Sequence, residues 1–225
     1  MLYGEQQIEE KWYAFDDVTG AMIRNKWING KYYGSDGVRT DKENSLYSIE
    51  GVSLVSVAQM VQYFNKRHVE YPTAVLKAGG AASIQELATI FYEEASDEGI
   101  KAEVAWTQAM LETNFLQYGG DVKVSQYNFA GLGATGGGVA GEKFDNVRQG
   151  IRAQIQHLKA YANSEITQEK LKHPCVDNRF KYVEKGCASY VEWLGQKENP
   201  NNKGWATSAG YGISIRNMID DLLKL

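Results

Sequence analysis

Glu112 is the side chain best placed, by type and spacing, to move a proton. Val104, Ala105, Gln108, Ala109, Leu111, Phe115 and Leu116 recur at three- and four-residue steps, which predicts a helix with one apolar stripe over 102–116. Glu112 falls on that stripe, whereas Glu103 lies about half a turn round, where a solvated carboxylate belongs. Burial penalises the charged form of a carboxyl, so a glutamate on the stripe would hold its proton toward neutrality, as a general acid must. Geometry alone leaves a plainer outcome open, a glutamate paired with a lysine or sitting at the rim. Glu142 and Asp145 follow in a glycine-dense stretch. Asp145 stands at the start of a long helical pattern, where it could be an N-cap. Cys175 and Cys187 are twelve apart with no Cys-x-x-Cys and no histidine cluster, so no metal site is expected.

The elements that must position these residues are mostly helical. Val52–Phe64 reads as an apolar-rich helix ended by Asn65-Lys66-Arg67, followed by an irregular stretch from Tyr71-Pro72 to Gly79-Gly80. Ser83, with Glu86 three residues on, forms a capping box for a helix that buries Ile84, Leu87, Ala88, Ile90, Phe91 and Ala95 and stops at Gly99. The Glu112 helix comes next, closed by Gly119-Gly120. Gly131, Gly133, Gly136-Gly137-Gly138 and Gly141 exclude a regular helix and predict a mobile loop over a cleft. That loop lacks the Gly-Lys-Ser/Thr of a phosphate cradle. Val147–Asn163 is a long amphipathic helix with His157 beside its apolar face, read as a satisfied, half-buried histidine. A loop over His173–Cys187, a short helix at Tyr190–Leu194, a turn at Asn199–Asn202 and a closing helix over Gly212–Leu225 complete the chain.

Composition narrows the function classes. Charged residues make up 23% and hydrophobic ones 43%, ordinary for a globular chain, and the net charge of -4 gives no reason to expect nucleic acid. No apolar run approaches a membrane span, and the opening Met1-Leu2-Tyr3-Gly4-Glu5 has no apolar signal core. The expectation is a mature or excised piece of a secreted protein, or an enzyme released by lysis. No cofactor is expected, and the chain is expected to be monomeric.

Three motifs in order carry a family resemblance: Ala109-Met110-Leu111-Glu112-Thr113-Asn114, Tyr127-Asn128-Phe129-Ala130-Gly131-Leu132-Gly133, and Trp205-Ala206-Thr207-Ser208-Ala209-Gly210-Tyr211-Gly212. With the long Phe144–Tyr161 segment between the last two, they resemble the peptidoglycan N-acetylglucosaminidases of glycoside hydrolase family 73, over roughly Ser48 to Leu225. That resemblance implies a lysozyme-like helical domain with a glycine-rich cleft lobe, mainly α (α+β), over residues 41–225. It implies cleavage of the β-1,4 bond after N-acetylglucosamine, with Glu112 as general acid. The second group would be Glu142, Asp145 or the substrate's own acetamido oxygen. Asn128, Phe129, Trp205 and Tyr211 would meet the glycan. Two departures stand out. Ser208-Ala209 replaces an Asp-Pro that the family commonly carries, and Val176-Asp177-Asn178-Arg179-Phe180 has Asn178 where the family commonly has proline. Rival readings are a muramidase or lytic transglycosylase on the same glycan, or a silent wall-binding module. In an extracellular protein, Cys175 and Cys187 would close a short loop as a disulfide worth about 3 kcal/mol; two unpaired thiols are the alternative.

Residues 1–40 differ from the rest. Lys11-Trp12-Tyr13 echoes Lys31-Tyr32-Tyr33 at an offset of twenty, and Trp27–Tyr33 reads as strand, Asn29-Gly30 turn, strand. The pattern resembles partial cell-wall-binding (choline-binding-type) β-hairpin repeats, in which aromatic rings enclose a quaternary ammonium. So short an array leaves simple aromatic packing as the alternative. Thr40–Ser48 reads as a linker.

Overall fold

The twenty-residue echo becomes two hairpins in a computed structural model that describes residues 2–24, 26–28, 31–34, 36–40, 46–134 and 137–225. β1 (Gly4–Ile8) pairs antiparallel with β2 (Lys11–Phe15), and β3 (Lys26–Ile28) with β4 (Lys31–Tyr33), which also pairs with β5 (Arg39–Thr40). Ile8 faces Lys11 as Ile28 faces Lys31, so the register repeats with the sequence. Glu9 and Glu10 close the first hairpin with φ of 48° and 67°, the backbone twist that two-residue hairpins need. The expected Asn29-Gly30 turn lies outside the described residues. Tyr33 is fully buried and its hydroxyl donates to Glu5, which also pairs with Lys31 Nζ at 2.8 Å.

The chain falls into two units, and the expected boundary after residue 40 is corrected. One unit joins residues 1–47 to 190–220; the other holds 48–189 with 221–225. The reason is local: Val191 N donates to Tyr47 O (2.8 Å) and Tyr47 N donates to Glu192 Oε2 (3.0 Å), so the linker's end is bonded to the C-terminal segment. A 3-10 turn at Val191–Leu194 and helix α6 (Tyr211–Leu222) follow, and the Arg216 guanidinium lies 4.5 Å from the Tyr47 ring centre.

The second unit is helical: α1 (Val57–Asn65), α2 (Thr73–Ala78), α3 (Ile84–Glu98), α4 (Ala102–Glu112) and α5 (Val147–Ala162). α2 was not expected from sequence, and α1 starts later than its apolar pattern does. Ser83 caps α3 by accepting from Glu86 N, and Gly99 ends it in the left-handed conformation, as the sequence predicts. α4 is the buried axis: every residue from Ala102 to Met110 is buried, including Glu103, which is 0% exposed and accepts from Leu54 N. A helix buried all round has no solvated face, so the expected amphipathic phase, with Glu103 in water, is corrected. Phe91 of α3 meets Trp106 of α4 edge to face at 5.3 Å. Gln154 of α5 donates to Ala105 O and Gln108 Oε1, both at 2.9 Å, so α5 is stitched to α4 by amides as well as by packing. Glu94 of α3, 1% exposed, takes Arg148 and Arg152 of α5 at 2.7–2.9 Å.

Candidate functional site

The site begins where α4 ends. Glu112 is the helix's last residue and is exposed, not desolvated by its own stripe as the periodicity suggested. The helix stops there because the backbone turns left-handed: Asn114, Phe115 and Leu116 have φ of 48°, 53° and 64°. Such a run of side-chain-bearing residues costs roughly 1–2 kcal/mol each. Burial and hydrogen bonds hold it. Thr113 Oγ1 donates to Ala109 O and accepts from Leu116 N, while Phe115 N donates to Met110 O (2.8 Å). The Phe115 ring, 7% exposed, packs on Tyr63 and Phe64 under the Arg67 guanidinium, 4.5 Å from its centre. Glu112 therefore rides on a fixed helix end.

Asn128 and Phe129 build the loop beside it. Asn128 is 1% exposed, and its amide is fully used: Nδ2 donates to Leu132 O and Glu142 O, and Oδ1 accepts from Leu132 N and Ala130 N. Phe129 is 0% exposed and lies edge to face on Phe91 at 5.7 Å. Neither offers a group to a ligand, which corrects their expected role: they shape the turn.

That turn passes close to two glutamates. A β-carbon on Gly131 would stand 3.5 Å from Glu112 Oε2, and one on Gly133 would stand 3.0 Å from Glu142 Cγ. Both glycines have positive φ, +64° and +75°, which L side chains resist. Glu142 itself is half-buried, and its main chain is pinned three times: N to Leu132 O (2.8 Å), and O accepting from Gln126 Nε2 and Asn128 Nδ2. Its Oε2 accepts from Asn178 Nδ2 at 3.2 Å. Asp145 is exposed, and its main-chain N donates to Gln149 Oε1. Asn146, not Asp145, caps α5. Asn178, a departure from the family pattern, was not singled out as a site residue; no periodicity could show which loop it touches.

His157 is satisfied, as expected, but buried rather than half-buried, with Nδ1 2.7 Å from Asp177 Oδ2. No disulfide joins Cys175 and Cys187, which corrects the expected pairing. The Cys175 sulfur instead donates to Asp177 O, and burial pushes its thiol up, away from the reactive thiolate. Trp205 and Tyr211 belong to the first unit; Trp205 is half-buried, its N donating to Leu194 O, and Tyr211 is 9% exposed at the start of α6. Among the described residues no group of histidine, cysteine and carboxylate side chains could hold a metal ion.

Comparison with known proteins bears on this arrangement. Residues 88–224, well over half of the chain, match the Glucosaminidase family model, described as mannosyl-glycoprotein endo-beta-N-acetylglucosaminidase. An uncharacterized protein of Borreliella burgdorferi is 33% identical over 141 residues, 63% of this chain and 64% of the relative, so the chain spans less than two thirds of that relative's length. The crystal structure of S. aureus autolysin E in complex with the muropeptide NAM-L-Ala-D-iGlu superposes with a TM-score of 0.50 at 13% identity, over 82% of this chain and 74% of that one. At that identity the likeness is one of fold, and it matches the lysozyme-like architecture expected from sequence.

Proposed function

The chain belongs to the glucosaminidase family, and from that premise we propose that it hydrolyses the β-1,4 bond after N-acetylglucosamine in bacterial peptidoglycan, with Glu112 as general acid. The observation that carries the reading is that one short turn brings both glutamates close, Glu112 at Gly131 and Glu142 at Gly133. Glycoside cleavage needs one carboxyl to protonate the leaving oxygen and a second group to stabilise the oxocarbenium-like centre or direct water to it. Glu112 is exposed on a locked helix end, where a glycan could reach its carboxyl. That suits the donor. Glu142, held through its main chain and its carboxylate, suits the second role better than Asp145, whose carboxylate has no recorded partner among the described residues. The acetamido oxygen of the substrate remains the alternative second group.

The choice of peptidoglycan draws on the motif order and on the muropeptide bound to the structural relative. We place the protein outside the cell, at the wall. The N-terminal hairpins would then serve as a wall-polymer contact, although the cation–π seat over Trp12 already holds Arg39, 5.3 Å from the ring centre, in place of a choline.

The test is mass spectrometry of borohydride-reduced digests of purified peptidoglycan. Reduced N-acetylglucosamine at the new ends is expected, and reduced N-acetylmuramic acid would make the enzyme a muramidase. Glu112→Gln keeps the shape and removes the proton, so turnover should fall by roughly 10²–10⁴ with the fold intact. Near-wild-type clearing by that variant would overturn the assignment.

A further inference from the structure

The second glutamate is held through both its main chain and its carboxylate. Its main chain takes bonds from two buried amides, Asn128 and Gln126, and its Cγ lies against a glycine. Its carboxylate takes one more, from Asn178. Asn178 in turn sits on a braced turn. Asp177, 2% exposed, accepts from Arg179 N at Oδ1 (2.9 Å) and bonds His157 Nδ1 at Oδ2 (2.7 Å). His157 belongs to α5, which is stitched to α4 by Gln154. The next residues, Phe180 and Val183, are buried in a cluster with Ala160, Ile166 and Leu171. An unbroken line of contacts thus runs from the helical core through His157, Asp177 and Asn178 to one oxygen of Glu142.

We propose that Asn178 is a positioning residue for the reaction, orienting the Glu142 carboxylate through its side-chain amide, with the His157–Asp177 pair fixing the turn that presents it. This rests on the reading of Glu142 as the second catalytic group. A donor on one carboxylate oxygen fixes the plane of the group and leaves the other oxygen to face the sugar or its attacking water. Losing such an outer partner frees the carboxylate to rotate, and misplacement of a reacting group by even an ångström is costly in rate. Asn178 is itself exposed, so its removal should not unfold the chain.

A double-mutant cycle tests this on purified peptidoglycan. Asn178→Ala should lower kcat by roughly tenfold to a hundredfold, with KM changed less than about twofold and an unchanged unfolding transition. Asn178→Ser, which keeps a short donor, should recover part of that loss. In a Glu142→Gln background, Asn178→Ala should have no further effect, because the group it orients is gone. An equal loss in both backgrounds would overturn the proposal, as would a raised KM at constant kcat, which would make Asn178 a glycan contact. Wild-type activity in Glu142→Gln would overturn it too, while inactive Glu112→Gln in the same assay would leave the general acid standing. Activity of Glu112→Gln would instead strike the functional reading itself.

Discussion

Replacing Glu192 by glutamine should stabilise the protein at pH 8 and leave it nearly unchanged at pH 5. Glu192 is 2% exposed, and burial pushes its carboxyl up to about 7 from 4.5 in the open chain; the Tyr47 amide and Arg216 pull it down, and Asp220 pushes it up. Between those values the folded chain keeps a proton that the unfolded chain has released, so raising the pH across that window favours unfolding. The gap from 4.5 to about 7, at about 1.4 kcal/mol per pH unit, amounts to about 3.5 kcal/mol of stability lost on the way up. Glutamine has no proton to lose, and it keeps an acceptor for Tyr47 N, which bonds Oε2 at 3.0 Å. Urea unfolding of both proteins at pH 5, 6, 7 and 8 reads the difference directly, and other titrating groups cancel in the comparison. The variant's advantage should open from under about 1 kcal/mol at pH 5 to about 3 kcal/mol at pH 8. A difference that is flat in pH, or that opens toward acid, would refute the reasoning.

Glu94→Gln should destabilise the protein by about 3 kcal/mol in urea unfolding, because it leaves Arg148 and Arg152 facing a neutral group. Burial works against the Glu94 charge, but Arg152 and Arg148 hold its carboxyl below the ordinary glutamate range, so the wild-type advantage should persist at neutral pH and fade only in acid, as that carboxyl is protonated. Thiol titration of denatured, unreduced protein should find two reactive cysteines, and finding none would restore the disulfide. Gly133→Ala should lower turnover more than Gly131→Ala, since its β-carbon would press on Glu142 Cγ at 3.0 Å whereas the other would sit at ordinary contact distance from Glu112; equal effects would mean that backbone strain alone decides.

Helix positions were legible in the sequence wherever local chemistry sets them. Ser83 and Gly99 bound α3 because a hydroxyl cap and a left-handed glycine are local devices. The rotation of α4 was not legible. Periodicity reports a face only when one side meets water, and α4 meets none before its last two residues, Leu111 and Glu112. The same periodicity that marked Glu112 as special thus gave it the wrong environment. The end of α4 was misjudged because three side-chain-bearing residues take the left-handed region, which local propensity disfavours and tertiary packing imposes. Asn128 and Phe129 were legible as important but not in kind: what looks like a binding motif is the internal frame of a turn. The link from Asn178 to Glu142, 36 residues apart, lay beyond any local pattern.

Helix ends normally fray, and an exposed glutamate in a last turn would ordinarily open on its own, far more often than the core does. Here the residues after Glu112 lock the helix end, with Phe115 and Leu116 buried, 7% and 2% exposed, and with Leu116 N tied back to Thr113. Opening the end of α4 therefore means drawing an aromatic ring out from between Tyr63, Phe64 and Arg67. The amides of Phe115, Leu116 and Tyr118, bonded to Met110 O, Thr113 Oγ1 and Thr113 O, should exchange with solvent as slowly as those in the middle of the helix. On heating, the position of Glu112 should be lost together with the core, so inactivation and unfolding would share one midpoint.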